Sequence, residues 1–291
     1  MPAVVITFSN CTGGSAKTST AAAVSIEFAK TTGKRILVVD IDPQRDLSKY
    51  FGFDQPEALE GQSNVVDVIK GNAPAKAAIV KPVIDNEYRG VDLLLGADHE
   101  GAALEQWIAS SSLPAMYMIK ALRPIINDYD VILIDGPGSM GIVGQGAAMA
   151  ATYVVAVAVP LMKEVRGVTE LEKHLIRLND DVRSEINLPP LEVDGIVFAR
   201  SPVRVPRQSP NAVRTGGTHY HDIIEATTEA YPDKLLLPFI RTSITVPDAY
   251  SAEMPINVFE PDDKASQDYR DLAATMIERG FTAPKTRSLA A

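Results

Sequence analysis

The chain has 291 residues, 46% hydrophobic and 22% charged, with 28 Lys and Arg against 37 Asp and Glu and a formal charge of −9. That size suits one large α/β domain or two small ones, and the acidic balance argues against a globally basic nucleic-acid binder while leaving room for a local patch. One cysteine, Cys11, excludes an internal disulfide and any multi-cysteine metal or iron–sulfur site within one chain. No apolar run approaches the roughly 18 residues needed to span a bilayer. The first residues lack the basic region of a signal peptide, so a cytoplasmic setting is expected.

Residues 3–8, Ala-Val-Val-Ile-Thr-Phe, read as a buried strand. They lead into Asn10-Cys11-Thr12-Gly13-Gly14-Ser15-Ala16-Lys17-Thr18-Ser19, and residues 19–30 then favour a helix. A small-residue loop between strand and helix, ending in Lys-Thr, is the layout of a phosphate-binding loop. Backbone N–H groups of such a loop and of the first helical turn meet anionic oxygens. Lys17 adds a mobile positive charge near β- and γ-phosphates, and Thr18 offers a hydroxyl to magnesium. The usual pattern has glycine where Cys11 and Ala16 stand. On this stretch alone an ordinary strand-to-helix connection stays open, because glycine and a Ser/Thr start are common there. If position 16 needs a positive φ, alanine costs on the order of 1 kcal/mol.

Further strands are predicted at residues 35–40, 91–95, 131–135, 153–159, 193–198 and 235–238, with helices at 116–126, 169–178, 220–230 and 266–279. Continuous β-branched runs alternating with helices imply a single doubly wound α/β domain. Its sheet is mostly parallel, of about seven or eight strands, with helices on both faces. Ligands in such sheets sit beyond the C-terminal strand ends, where the loop after the first strand lies. The domain is expected over residues 1–281, with 282–291 a flexible tail. Residues 201–218, broken by Pro202, Pro206, Pro210, Gly216 and Gly217, read as a loop.

The second strand ends Asp40-Ile41-Asp42-Pro43-Gln44. A carboxylate there can orient a water in line with a γ-phosphate or hold magnesium through water. Equally, Asp40 and Asp42 can cap a turn into the next helix, which Pro43 favours. The fourth strand ends Ile134-Asp135-Gly136-Pro137-Gly138-Ser139. Four apolar residues and an acid form the Walker B arrangement, and the glycines would let the loop rearrange with the γ-phosphate.

Taken together, Gly-Gly-x-x-Lys-Thr, Val-Asp-Ile-Asp-Pro-Gln and Tyr-Asp-Val-Ile-Leu-Ile-Asp-Gly-Pro resemble the ParA/MinD family of deviant Walker ATPases. The likeness is nearest to ParA-type partition ATPases without an N-terminal DNA-binding domain. It extends through Val159-Pro160, Asp194-Gly195-Ile196-Val197 and residues 240–256. The resemblance implies ATP and Mg2+ as cofactors, with the nucleotide sandwiched in a homodimer. It also implies non-specific DNA binding by the ATP-bound dimer and a ParB-like adaptor that stimulates hydrolysis. It implies a P-loop at Thr12, Gly13, Gly14, Ser15, Ala16, Lys17, Thr18 and Ser19, Lys17 on the phosphates and Thr18 on magnesium. Asp42 would orient the attacking water and Asp135 would be the Walker B acid near the metal. Pro238 and Phe239 fall where the family usually contacts adenine.

Thr12 stands where the family has its defining trans lysine, as in the McdA-type relatives that position carboxysomes. Two apposed triphosphates repel, so another cation is needed, and Lys163 lies at the correct sheet edge to supply it. Arg200, Arg204, Arg207 and Arg214 form a cationic island without Asp or Glu over residues 200–221. With Arg241 they are the expected DNA contacts, giving a nucleoid-associated protein. A MinD-like membrane helix is not expected, since residues 281–287 contain a proline and one aromatic. His174, His219 and His221 lack a third metal ligand, and Trp107 reads as core or interface. The expected function is a partition or positioning ATPase, slow without its partner, for a plasmid, chromosome or other cargo. The alternatives are a metabolic P-loop enzyme of the dethiobiotin synthetase type and a nucleotide-binding regulator with little hydrolysis.

Overall fold

A computed structural model describes residues 1–82, 90–97, 101–202 and 218–285. In chain order the first half comprises β1 (Val4–Ser9), α1 (Lys17–Thr32), β2 (Ile36–Asp40), α2 (Asp46–Tyr50), α3 (Pro56–Leu59), α4 (Val65–Lys70), β3 (Ile79–Val80), β4 (Val91–Leu94), α5 (Gly101–Ala109), α6 (Tyr117–Leu122) and β5 (Val131–Asp135). Then follow α7 (Ile142–Ala150), β6 (Tyr153–Ala158), α8 (Met162–Leu178), β7 (Val193–Phe198), α9 (Thr218–Ala230), β8 (Leu235–Leu236), α10 (Thr245–Ser251), α11 (Ile256–Phe259) and α12 (Lys264–Glu278).

The strands form one 8-stranded sheet in the order β3-β4-β2-β5-β1-β6-β7-β8. Every pairing is parallel except the edge pair β3–β4. Its centre shows why continuous apolar runs were required. Val4, Ile6 and Phe8 of β1, Ile36 and Val38 of β2, and Val131 and Leu133 of β5 join a core beneath α1 and α12. The intervening Val5, Leu37, Val39, Ile132 and Ile134 join a second core beneath α6 and α7. Successive side chains leave a strand on opposite faces, so only a strand apolar at every position fills both layers. Thr7 and Ser9 are the polar exceptions within β1, and the Thr7 hydroxyl donates to the Ala147 carbonyl of α7 at 3.1 Å.

The main elements match the predicted ones to within a few residues, with instructive differences. α8 begins seven residues before the predicted 169, and that extra length carries Glu164 and Gly167 against the phosphate-loop region. β3 was not predicted, because two residues hold no periodicity. Trp107 is 39% exposed on α5, so it is not core.

The chain keeps contact with the sheet beyond α12. Phe281 is 3% exposed and stacks on Tyr153 with ring centroids 4.8 Å apart. The Tyr153 hydroxyl donates to the carbonyls of Gly280 and Ala283 at 3.2 and 3.1 Å. Lys285 pairs with Asp194 and, at 3.3 Å, with Glu192. Residues 282–285 are thus anchored at the N-terminal ends of β6 and β7. Thr282 contributes backbone contacts and Lys285 a charge, neither of which a hydropathy pattern reveals.

Candidate functional site

β1 and β5 are paired, with Phe8 opposite Asp135, and β5 pairs with β2, with Asp40 opposite Asp135. The loops after these three strands therefore emerge side by side at the sheet's C-terminal edge. They surround a cavity of about 790 Å³ lined by residues 13–19 of the first loop, by Asp42, Gln44, Asp46 and Tyr50, by Pro137 and Gly138, and by Arg200 and a wall from residues 240–250.

The first loop is held from outside. Asn10 is fully buried; its amide donates to the Val157 carbonyl at 2.8 Å and its carbonyl oxygen accepts the Cys11 N–H at 2.7 Å. Gly167 lets α8 close on the same spot, since a Cβ there would lie 2.3 Å from the Asn10 amide oxygen. Thr12, in the position of the missing lysine, donates its hydroxyl to the carboxylate of Glu164, which is 7% exposed. Gly14 has φ 78° and Ala16 φ 66°. Position 16 is therefore left-handed, and alanine there costs on the order of 1 kcal/mol relative to glycine. The α1 N-terminus carries no side-chain cap, so its first N–H groups face the cavity ready for an anion. Lys17 is 6% exposed and, among the described residues, hydrogen-bonds only the Thr12 carbonyl at 3.3 Å and the Ser15 hydroxyl at 3.4 Å. Such long contacts leave the ammonium ready to exchange them for phosphate oxygens.

Asp135 is completely buried, and neither carboxylate oxygen makes a well-formed hydrogen bond. Burial and then the neighbouring Asp40 charge push its carboxyl well up, with the Thr18 hydroxyl and Lys17 offsetting part of the effect. A buried, unpartnered carboxylate is costly unless a cation completes it. Beside a serine or threonine hydroxyl and a phosphate-binding loop, magnesium fits the donor set. Thr18 and Asp135 would hold it, together with phosphate oxygens and water.

Asp40, which ends β2, and Asp42, in the loop after it, divide the two readings between them. Asp40 faces inward, 0% exposed, and accepts the Ser48 N–H at 2.8 Å and its hydroxyl at 2.7 Å, bracing α2. Asp42 lines the cavity, with its carboxylate accepting the Gln44 N–H at 2.9 Å. Burial raises its pKa, and Lys17 partly counters that. Asp42 thus has the position to orient a water, while Asp40 has a structural task. Gly138 brings the loop after β5 onto the first loop: a Cβ there would sit 3.2 Å from the Gly13 Cα.

Pro238 and Phe239, the expected adenine contacts, do not line this cavity. Phe239 is 1% exposed and packs edge-on against Phe198 with centroids 5.1 Å apart. The cavity wall is made instead by residues 240–244 together with Val246, Pro247, Tyr250 and Tyr269. Arg241 lies on that wall, but its guanidinium is committed to Asp268 through contacts of 2.7 and 2.9 Å. Arg200 is at the cavity mouth, donating to the Gly14 carbonyl at 3.1 Å. Lys163 is exposed in the first turn of α8. Arg204, Arg207 and Arg214 lie outside the described residues. Sequence reasoning missed Glu164, Ser48 and the three tyrosines. Glu164 could have been found beside Lys163 once α8 was extended to residue 162; the tyrosines are joined only by tertiary packing.

The family model of the AAA domain matches residues 3–188, and the chain belongs to this family, within the ParA/MinD type of deviant Walker P-loop ATPases. It is 25% identical over 280 residues to a virulence plasmid ParA family protein of Chlamydia psittaci, covering 96% of each chain. It is 28% identical to the chromosome partitioning protein ParA of Caulobacter vibrioides, covering 96% of this chain and 95% of that one. Among solved structures, apo McdA of Cyanothece shares the fold with a TM-score of 0.76 at 17% identity, over 94% of this chain and 99% of the other. Cobyrinic acid a,c-diamide synthase of Mycobacterium smegmatis, solved with an ATP analog and magnesium, gives 0.73 at 26% identity, over 95% of each chain. Among the described residues no helix is long and apolar enough to cross a membrane.

A pH dependence follows from the acid pair. Burial raises the Asp40 carboxyl from 3.8 to about 7. Between those values the folded chain keeps a proton that the unfolded chain has lost, so stability falls as pH rises through the window. In magnesium-free buffer the melting temperature should fall from about pH 5 to about pH 7, with this group contributing up to about 1 kcal/mol per pH unit. Asp40→Asn should flatten the profile in thermal melts, and an unchanged slope would refute the assignment.

Proposed function

We propose that the chain is a partition or positioning ATPase that binds Mg2+–ATP at this cavity, dimerises with it, and hydrolyses it slowly until a partner accelerates the step. The observation that carries the reading is the convergence of Lys17, Thr18 and Asp42 on one cavity, with the fully buried Asp135 carboxylate next to Thr18. ParA relatives matched over 96% of their length and of this chain support it. In that scheme Lys17 and the amides of residues 13–19 bind the phosphates, and Thr18 and Asp135 hold the metal. Asp42 aligns the attacking water. The metal supplies charge neutralisation of the phosphoryl oxygens. The cargo is a plasmid, chromosome or other large body, and the stimulating partner is a ParB-like adaptor.

Non-specific DNA binding belongs to the ATP-bound dimer, through Arg204, Arg207 and Arg214. Phosphate contacts need only local positive charge, and two copies double the patch. The expected results are ATP hydrolysis that rises with DNA and partner, and DNA binding with ATP but not ADP that weakens steeply with salt. Lys17→Ala should abolish both. A second reading, a P-loop enzyme that activates a carboxylate, is favoured by the 26% identity to the diamide synthase. Fast turnover on a small acid, with indifference to DNA, would establish it. ATP-dependent DNA binding without turnover would mark a regulator instead.

Lys163 stands at the α8 N-terminus beside Glu164, which holds Thr12. In the proposed dimer it reaches the partner's phosphates in place of the absent lysine. Sedimentation of Lys163→Ala with ATP should show monomer where the native chain shows dimer; an unaltered dimer would end the idea.

A further inference from the structure

Three basic side chains line the cavity: Lys17, Arg200 and Arg241. They are not equivalent. Lys17 is at the floor of the first loop. Arg241 has its charge matched by the fully buried Asp268, through its Nε at 2.7 Å and Nη2 at 2.9 Å, and Nη2 also donates to the Lys264 carbonyl at 3.0 Å. The carboxylates that line the cavity, Asp42 and Asp46, add negative charge. Lys49 is paired to Asp46 at 3.2 Å. A triphosphate carries up to four negative charges into this setting, against one magnesium ion and Lys17.

Besides Lys17, Arg200 is the cavity cation whose charge no carboxylate matches among the described residues. It is exposed, and among the described residues its one hydrogen bond is to a neutral group, from Nη1 to the Gly14 carbonyl at 3.1 Å. A guanidinium has five donors, so most remain for a ligand. Its backbone is set for this task. Arg200 has φ 52°, a left-handed conformation unfavourable for a residue with a Cβ. That geometry is pinned on both sides: Ala199 N–H donates to the Ala158 carbonyl at 2.8 Å, and Ser201 N–H donates to the Ile240 carbonyl at 2.8 Å. A strained residue held by its neighbours, with its side chain thrown across a ligand loop, is the pattern expected where position matters more than local stability.

We propose that Arg200 is a positioning residue for the nucleotide: its guanidinium leaves the Gly14 carbonyl to bind phosphate oxygens of the nucleotide in the same subunit. It thereby supplies in cis a cation that Thr12 does not provide, and it is withdrawn from the DNA-contacting set to which sequence assigned it. The inference rests on the nucleotide reading above. A planar fork suits phosphate oxygens better than a point charge does.

The left-handed backbone supplies a test that separates this role from a structural one. Arg200→Gly relieves the strain and should melt at or above the native temperature. Displacement of a fluorescent ATP analogue from the full chain, with magnesium, should show ATP binding weakened about 10-fold to 100-fold in Arg200→Gly and Arg200→Gln. Adenosine binding should stay within about twofold of native, and Arg200→Lys should recover part of the loss. ATP affinity within about twofold of native in both variants would overturn the proposal, as would equal loss of ATP and adenosine. If the native chain takes up no ATP at all, it is the nucleotide reading itself that fails, and the proposal with it.

Discussion

Asp40 and Asp135 stand opposite one another at the C-terminal ends of β2 and β5, both inaccessible to water. Asp40 spends one oxygen on Ser48, while its other oxygen and both of those on Asp135 make no well-formed hydrogen bond among the described residues. Two adjacent acids in a low-dielectric site cannot both ionise cheaply. The fold tolerates this because the site is built to receive a cation with its anionic ligand. Other features of the edge suit the same ligand: the uncapped α1, the loosely held Lys17, and the glycine that lets the β5 loop rest on the first loop.

The parallel sheet makes the juxtaposition possible. Three strands distant in sequence deliver their following loops to one edge only because β5 inserts between β1 and β2. The chain after β8 then crosses back over α1, where Asn257 donates to the Ala23 carbonyl at 3.1 Å and to Glu27 at 2.6 Å. That crossing brings Tyr250 to Asp46 at 2.8 Å and completes the cavity wall. Sheet order and this return path together join residues from 13 to 269 in one cavity.

Much of this was legible in the sequence because the signals are local. A strand apolar at every position identifies itself, and so do Gly-Gly before Lys17-Thr18 and an acid closing β5. What was not legible depends on partners remote in the chain. Whether Asp40 or Asp42 faces the ligand turns on Ser48 and on α2 packing. Phe239 falls where the family resemblance implies a base contact, and its ring packs in the core against Phe198. Arg241 looked like a surface cation until Asp268, 27 residues later, was seen to hold it. Arg200 looked like the first of a run of loop arginines; its strained backbone aims it at the loop of β1 instead. Charge in a sequence has a sign and a number but no neighbours.

The central claim is that Asp135 is completed by a magnesium ion arriving with a nucleoside triphosphate. Calorimetric titration of ATP into the chain, with magnesium varied and with Asp135→Asn alongside, addresses it most directly. The account predicts that magnesium tightens ATP binding to the native chain at least about tenfold and leaves binding to Asp135→Asn nearly unmoved. Equal magnesium dependence in the two proteins, or no uptake of ATP by the native chain at millimolar concentrations, would contradict it.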